Sequence, residues 1–152
     1  MAHAGCGCSG SMARVIERNE TTEQETTVKA ASELRQWPVQ LHLVPPTAPW
    51  FQDSDILIAA DCVAFALGSF HSDLLKGKAL AIACPKLDDS TPYVDKLAMI
   101  FSQNEVKSIT VAIMEVPCCR GLDMMVRQAL AKSGKEIPLE TAVIGVNGER
   151  RN

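Results

Sequence analysis

Residues 108–119 carry the sequence SITVAIMEVPCC, a continuous apolar run that ends in one proline and two adjacent cysteines. A short apolar run without polar alternation is typical of a strand buried on both faces of a parallel sheet. Proline closes such a run because it lacks a backbone N–H group for the ladder. Residues 108–116 therefore predict a buried strand that delivers Cys118 and Cys119 at its carboxyl end.

Similar segments lie on both sides of this strand. Strands are predicted at DILIAA (55–60), ALAIAC (79–84) and ETAVIGV (140–146), and the alternating VQLHLV (39–44) predicts a first strand before them. Between these strands, apolar side chains recur at helical spacing in two segments. They are Val94, Leu97, Ala98 and Phe101 in one segment, and Leu122, Met125, Val126 and Ala129 in the other.

Residues that favour the start or the end of a helix give the expected helix bounds. Thr91 and Pro92 predict the start of the first helix, and Gly134 predicts the end of the second. The sequence AFALGSFHSDLL (64–75) predicts a shorter, glycine-interrupted helix, and a short helix is also expected near Thr27–Gln36.

Strands that alternate with helices predict an α/β fold of three layers, a mostly parallel sheet of about five strands flanked by helices. We place this α/β domain at residues 35–152, after a polar and partly flexible N-terminal arm at residues 1–34 that carries Cys6 and Cys8. The arm is rich in Thr and Glu and shows little apolar periodicity, which is why it is expected to fold weakly.

Length and composition agree with one globular domain, since the chain has 152 residues of which 47% are hydrophobic and 22% are charged. The net charge of -3 gives no reason to expect nucleic acid or an anionic membrane as a partner. No apolar run approaches the roughly 20 residues that span a bilayer. The first residues lack the apolar core of a signal peptide, so we expect a cytoplasmic protein.

Cysteine placement carries most of the functional information. The six cysteines are Cys6, Cys8, Cys62, Cys84, Cys118 and Cys119. In a reducing cytoplasm such a set indicates metal binding or redox chemistry more than a disulfide framework. Cys62, Cys84 and the Cys118–Cys119 pair follow three successive predicted strands. Because the carboxyl ends of parallel strands share one edge, where ligands bind, these four thiols are expected to meet.

The expected surroundings suit an anionic group. Loops after Cys84 and Cys119 lead toward helix N-termini, which would stabilise thiolates, and Gly121 would let the backbone approach a bulky ligand. The usual ferredoxin run of cysteines and the paired knuckles of structural zinc sites are both absent from the sequence. Adjacent cysteines diverge, so Cys118 and Cys119 would bind two irons of one cluster, or one of them would be a second redox thiol.

Nearby polar residues are weaker candidates. His71 could be a ligand or a donor to a cluster, but a partly buried histidine with its own partner is the favoured interpretation. Asp88 and Asp89 are interpreted as turn or capping residues. Asp61 precedes Cys62, and a carboxylate in that position would lower the potential of an anionic cluster.

Three long segments resemble a known family. They are RQWPVQLHLVPPTAPWFQDSDILIAADCVAFALGSFH (35–71), KGKALAIACPKLDD (76–89) and SITVAIMEVPCCRGL (108–122). They are similar to proteins of anaerobes known as iron–sulfur cluster-binding, or 4Fe-4S ferredoxin-like, in the form that lacks a conventional ferredoxin module. GCSGS (7–11) resembles a glycine-rich element of the family, which implies Cys8 as a further ligand. Arg120 stands where the family usually has glycine.

The resemblance and the cysteine pattern together predict an iron–sulfur protein. Its cluster, most simply 4Fe-4S, is expected to be held by Cys62, Cys84, Cys118 and Cys119, with Cys8 as a fifth thiol. The expected role is electron transfer or redox sensing with a redox partner protein, rather than catalysis. A larger cluster, a second metal and a homo-oligomer stay open. The alternatives are a thiol or persulfide carrier that uses Cys118 and Cys119, and a zinc-stabilised binding domain.

Overall fold

The computed structural model of the chain describes residues 13–18 and 29–152. A parallel sheet of four strands forms its centre, in the order β2-β1-β3-β4. The strands are β1 (Ser54–Ala60), β2 (Lys78–Ala83), β3 (Val106–Met114) and β4 (Leu139–Ile144). The helices are α1 (Val63–Ala66), α2 (Tyr93–Gln103) and α3 (Arg120–Ser133), with a π-helical turn at Phe70–Leu75. The predicted α/β fold with a parallel sheet is confirmed.

The two central strands carry the most continuous apolar sequence, as burial on both faces requires. In β1 the last five residues are buried, and in β3 the last six are buried. Ile58 lies opposite Ala81 of β2 on one side and Val111 of β3 on the other. This register aligns the carboxyl ends of β1, β2 and β3 at one edge of the sheet.

The direction of the connections gives the three layers. From β1 the chain moves to β2 on one side, and then crosses back over β1 to β3 and β4. Since crossovers between parallel strands are right-handed, the connection after β1 covers one face of the sheet and the later helices cover the other. The chain thus leaves the neighbouring strands β1 and β3 in opposite directions, which opens a crevice between their carboxyl ends.

The prediction of a first strand at residues 39–44 is wrong, so the sheet has four strands rather than about five. Only Gln40 pairs with β2, through an isolated bridge to Ile82. The amides of Leu43 and Val44 donate to the carbonyl of Gln40 at 2.8 and 3.1 Å, so the backbone turns instead of extending. The apparent alternation came from the burial of Leu41 and Val44 on either side of this turn.

The short helix expected near Thr27–Gln36 is also wrong over residues 29–36, while residues 27 and 28 lie outside the described part. Gln36 instead binds the outer edge of β2. Its side-chain amide accepts from the N–H of Leu80 and donates to the carbonyl of Leu80, both at 2.8 Å. This pairing satisfies both backbone groups of an edge residue.

The far edge of the sheet is covered by the end of the chain. The amide of Arg151 donates to the carbonyl of Val143 at 2.8 Å, and the side chain of Asn152 accepts from the amide of Val143 at 3.0 Å. Ile144 also forms an antiparallel bridge with Arg150. Residues 149–152 therefore occupy the hydrogen-bonding positions that a fifth strand would take.

Helix ends follow the sequence in most places. Gly134 ends α3 in the left-handed conformation at a φ of 70°, as predicted. The first helical residue of α2 is Tyr93, with Pro92 in the capping position, one residue later than expected. The segment 64–75 contains α1 and the π-helical turn, separated around Gly68 as the glycine interruption predicted.

No helix of residues 13–18 and 29–152 is both long and apolar enough to cross a membrane.

Candidate metal centre

Each of the three strands β1, β2 and β3 is followed by a cysteine just beyond its carboxyl end. Cys62 caps α1 after β1, Cys84 follows β2, and Cys118 and Cys119 lie in a 3-10 turn between β3 and α3. Cys62 is exposed, Cys84 and Cys118 are half-buried, and Cys119 is buried. The fold therefore places these cysteines at the carboxyl ends of three strands, as the sequence predicted.

All four thiols line one cavity of about 350 Å³. The cavity lies outside the carboxyl ends of β1 and β3, at the crevice where the two strands send the chain in opposite directions. Its other walls are almost entirely apolar. They comprise Ile16, Ala60, Asp61, Phe65, Ala66, Pro85, Met114, Val116 and Val146. Cys8, the fifth thiol of the prediction, and Cys6 lie outside the described residues.

Burial and mutual repulsion keep two of these thiols protonated in the metal-free protein. The pKa of Cys119 is raised to about 11 by burial, with a further contribution from the neighbouring Cys118 thiol. The pKa of Cys62 is also raised, first by desolvation and then by the charges of Cys84, Asp61 and Cys118. Four thiols that repel one another as thiolates form a donor set suited to a cationic partner, which would offset that repulsion.

The expected help from helix N-termini is only partly present. Cys119 is the capping residue of α3, but burial raises the pKa of its thiol instead of lowering it. Cys84 is not at a helix end, because α2 begins only at Tyr93. The expectation of a stabilised thiolate is therefore wrong for Cys119.

A carboxylate fixes the loop that carries Cys84. One oxygen of Asp88 accepts from the amide of Cys84 at 2.9 Å, from the side chain of Gln40 at 3.3 Å and, in a short contact, from the hydroxyl of buried Tyr93. Burial pushes the pKa of Asp88 upward, but these three donors outweigh it and the pKa is lowered. The interpretation of Asp88 as a turn residue is confirmed, with the added function of holding Cys84.

Asp89 also has the turn role that the sequence indicated. Its carboxylate accepts from the amide of Thr91 at 3.2 Å, just before α2. The side chain is exposed, and it does not reach the thiols. The two adjacent aspartates thus differ in function, since Asp88 points toward Cys84 and Asp89 toward the start of the helix.

Asp61 is the polar wall of the cavity. Its Oδ1 atom is buried and has no hydrogen-bond partner among the described residues. Burial raises the pKa of Asp61, and the charge of Asp88 adds to the increase. A buried carboxylate oxygen without a donor is costly, so this atom is suited to a donor that arrives with a ligand or water.

His71 does not face the thiols. Its Nδ1 atom accepts from the backbone amide of Glu33 at 3.0 Å. The ring lines a separate apolar cavity of about 230 Å³ on the other side of Asp61 and Phe65. The favoured interpretation, a partly buried histidine with its own partner, agrees with this contact.

The space around Gly121 is less restricted than the sequence suggested. A Cβ atom there would lie 3.5 Å from the Cβ of Pro85, which is ordinary van der Waals contact. Pro85 lines the thiol cavity, so the start of α3 lies beside the loop of Cys84. The described atoms give no steric reason for a glycine.

Sequence reasoning missed one wall of the site. Ile16 lies in the separate segment 13–18 and still lines the thiol cavity. The same segment is attached to the loop after β4, because Arg18 donates to the carbonyl of Asn147 at 2.7 Å. No local pattern in a polar arm could have indicated this placement, which depends on a contact more than a hundred residues away.

Within the part of the chain that the structure describes, no three His, Cys, Asp or Glu side chains converge closely enough to hold a single metal ion. The four thiols instead surround the cavity described above. A cluster places its own iron and sulfide atoms between the cysteine sulfurs, so its ligands lie farther apart than those of one ion. Thiol sulfurs are the donors that iron–sulfur clusters take, so the donor chemistry of the cavity is compatible with such a cluster.

Comparisons with known proteins agree with the fold. A family model described as a Rossmann-like domain matches residues 48–151. A protein of Archaeoglobus fulgidus, described only as uncharacterized, is 36% identical over 116 residues, which cover 76% of this chain and 81% of the relative. No solved structure matches the chain. The matched region contains all four cysteines of the cavity.

Proposed function

The chain belongs to this family of Rossmann-like domains, and on that premise we propose that it is an iron–sulfur protein that acts in electron transfer or redox sensing. The proposed ligands of a 4Fe-4S cluster are Cys62, Cys84, Cys118 and Cys119. One observation carries the proposal: four thiols from three separate strand ends line a single cavity at the crevice between β1 and β3.

The residues of the chain each have a defined task in this proposal. The thiols give up protons and supply negative sulfur ligands, and the apolar walls formed by buried Met114 and half-buried Val116 exclude water. Asp88 holds the amide of Cys84 and so fixes that loop. When bound, the cluster supplies one-electron redox chemistry whose potential depends on charge, hydrogen bonds and solvent exposure.

Cys8 remains a proposed fifth thiol. Ile16 lies at the cavity, and Cys8 precedes it by eight residues. An extended chain of that length reaches about 26 Å, so Cys8 can reach the site without any change in the described fold. Five thiols exceed the four that one cubane uses, and a larger cluster, a second metal or a cluster shared between subunits would use the remainder.

The thiol-carrier alternative has less support. Reactive cysteines have lowered pKa values, whereas burial raises the pKa of Cys119 to about 11 and the pKa of Cys62 is also raised. For the zinc alternative, the described cysteines surround a space instead of meeting at a point. We also propose a cytoplasmic location, where thiols stay reduced, and the role of an electron carrier rather than a catalyst.

The test is a count of iron, zinc and acid-labile sulfide per chain on protein purified without oxygen, together with visible and EPR spectra. Iron and sulfide in near-equal amounts, well above one per chain, support the proposal. Zinc without sulfide supports the structural-metal alternative, and absence of both supports thiol chemistry.

Single substitutions then assign the ligands. Cys62→Ala, Cys84→Ala, Cys118→Ala and Cys119→Ala should each reduce the iron content or change the EPR signal. Cys6→Ala is the matched control, because no ligand role is assigned to Cys6. Unchanged iron, sulfide and spectra in Cys118→Ala would remove that residue from the ligand set, and the same reasoning applies to each of the others.

A further inference from the structure

A second cavity lies beside the thiol cavity and takes no part in the proposed cluster site. It has a volume of about 230 Å³ and shares with the thiol cavity only Ala60, Asp61 and Phe65. The rest of its wall comes from the segment before β1, from β1, α1 and β2, and from the π-helical turn. Among the described residues, the only other polar side chain of the wall is that of His71. The cavity is therefore an apolar space with very few polar groups.

His71 presents a hydrogen-bond donor that the fold does not use. Its Nδ1 atom accepts from the amide of Glu33 at 3.0 Å, so in this contact the neutral ring carries its proton on Nε2. Nε2 has no hydrogen-bond partner among residues 13–18 and 29–152. In the same part of the chain, the buried side-chain atoms without a partner are Nε1 of Trp50 and Oδ1 of Asp61. Nε2 of His71 is therefore open to a ligand or water, and a carbonyl oxygen would accept from it.

Aromatic rings form part of the wall. Two of the four phenylalanines of the chain, Phe65 and Phe70, line the cavity together with the ring of His71. Phe70 is buried and meets His71 edge to face, with 5.8 Å between the ring centroids. Phe65 is 92% exposed, so a ligand that covers it would remove a large apolar area from water. Such walls favour an aromatic ligand, because aromatic rings attract one another in edge-to-face and offset arrangements.

Size and charge narrow the class of ligand further. An engineered apolar cavity of about 150 Å³ holds benzene, so this larger cavity has room for one ring with a short substituent. The carboxylate of Asp61 in the wall would repel an anion. A cation would offer no acceptor to the Nε2–H group of His71. The ligand that fits the wall is therefore neutral.

We propose that this cavity binds a small neutral aromatic molecule with a carbonyl group, whose oxygen accepts from Nε2 of His71 while its ring packs against Phe65 and Phe70. The site is additional to the proposed cluster site, since none of the four described cysteines lines it. Residues 19–28 of the chain itself do not match this chemistry, because Val28 is the only apolar residue among them.

The test uses acetophenone as the probe, with ethylbenzene and benzoate as matched compounds. Ethylbenzene lacks the carbonyl oxygen, and benzoate has a similar size with a negative charge. Binding to the isotopically labelled full chain, purified without oxygen, is followed through the chemical shifts of its amides. Acetophenone should bind more tightly than benzoate. It should shift the amides of Leu34, Val39 and Leu75, which line this cavity and not the thiol cavity.

Substitutions separate the hydrogen bond from the apolar contact. His71→Asn keeps an acceptor for the Glu33 amide and removes the Nε2–H donor. It should weaken acetophenone binding about three- to tenfold and leave ethylbenzene binding within about twofold. The control His42→Asn changes an exposed histidine outside the cavity wall and should leave both affinities unchanged.

A second pair of variants tests the location of the ligand without relying on His71. Ala64→Trp puts a large side chain at an exposed position of the wall and should weaken the binding of both acetophenone and ethylbenzene. Ala131→Trp, at an exposed position of α3, is its control and should bind both compounds as the unmodified chain does. The melting temperature of each variant checks that it is folded.

Several results would overturn the proposal. They are no binding of acetophenone at millimolar concentration, an effect of His71→Asn no larger than that of His42→Asn, and benzoate binding as tight as that of acetophenone. Shifts at Met114 and Val146 in place of the three amides named above would move the ligand to the thiol cavity. Shifts at those three amides that depend on protein concentration without ligand would assign the cavity to a second copy. Iron and sulfide do not enter these measurements, so failure of the cluster proposal leaves this test intact.

Discussion

At the residue scale, Asp88 shows how a single carboxylate organises a ligand loop. One of its oxygens accepts from the amide of Cys84, the amide of Gln40 and the hydroxyl of Tyr93. The sequence predicted a turn residue here, because Asp in such a loop commonly binds nearby amides. The hydrogen bonds that Asp88 accepts from buried Tyr93 and from Gln40 join separate segments of the chain, so no local sequence pattern could indicate them.

Asp88→Ala should lower the free energy of unfolding by about 2–4 kcal/mol, because it leaves the buried Tyr93 hydroxyl and the Cys84 amide without an acceptor. Asp89→Ala is the control, since its carboxylate is exposed and bonds only locally to Thr91. Urea unfolding of both variants measures the difference. Equal loss of stability in the two would mean that the network around Asp88 adds nothing beyond an ordinary turn.

The pKa of Asp88 also gives this network a pH dependence. The pKa is lowered in the folded chain, so the stabilisation is complete above the ordinary pKa of a carboxyl group and is lost as the pH falls through the lowered value. Urea unfolding at decreasing pH should show a smaller acid-induced loss for Asp88→Asn than for the unmodified chain. An identical loss in both would assign the acid sensitivity to other carboxylates.

Cys62 and Cys119 should react slowly at neutral pH in the chain without a bound metal. Burial raises the pKa of Cys119 to about 11 and desolvation raises that of Cys62, so the thiolate fraction of each is small near neutrality and grows as the pH rises. Alkylation by iodoacetamide, followed site by site with mass spectrometry over a range of pH, measures this. Rapid modification of Cys119 at neutral pH would favour thiol chemistry over cluster binding.

At the element scale, the loop after β4 is fixed against the helix that follows Cys62. Gly148 has a φ of 94°, and a Cβ atom there would lie 2.7 Å from the carbonyl oxygen of Ala66. Ala66 and Val146 both line the thiol cavity, so the loop forms one of its sides. The sequence predicted a strand over residues 140–146, but the contact of the following loop with α1 depends on the folded sheet.

Gly148→Ala should destabilise the chain by about 1–3 kcal/mol, because alanine is strained at this φ and its methyl group would collide with backbone. Gly68→Ala is the control, as a Cβ atom there meets nothing within 4 Å and the φ is not positive. Thermal unfolding measures both variants. If Gly148→Ala were as stable as Gly68→Ala, the loop would have to be free to move away from α1.

The secondary structure was predictable where burial alone shaped the sequence. β1, β2, β3 and β4 appear within two residues of the predicted bounds because each is a short apolar run inside a sheet. The segment 39–44 was wrongly predicted as a strand because a turn can also bury every third residue. The meeting of the four cysteines followed from strand direction, whereas the contribution of Ile16 did not, since it depends on long-range packing.

At the scale of the whole molecule, the proposed ligands join three loops that are far apart in sequence. Cys62, Cys84 and the Cys118–Cys119 pair follow β1, β2 and β3. A group bound to all of them would cross-link the carboxyl edge of the sheet and stabilise the folded state by the free energy of binding. The amino edge has no such connection.

Removal of iron with a chelator should therefore lower the melting temperature, by roughly 2–4 °C for each kcal/mol of lost stabilisation in a chain of this size. Hydrogen exchange should increase most in the loops after β1, β2 and β3, and least around Gln36 and the start of β2. Even acceleration over the whole chain would contradict a ligand set confined to one edge.

Both borders of the sheet are closed by segments that are not strands. Gln36 and the bridge at Gln40 cover β2, and residues 149–152 cover β4. Open strands are templates on which further chains polymerise, and they drive amyloid and other aggregation. The sheet therefore offers few free backbone groups on which a fibril could grow, even though apolar side chains such as Phe65 are exposed at its carboxyl edge.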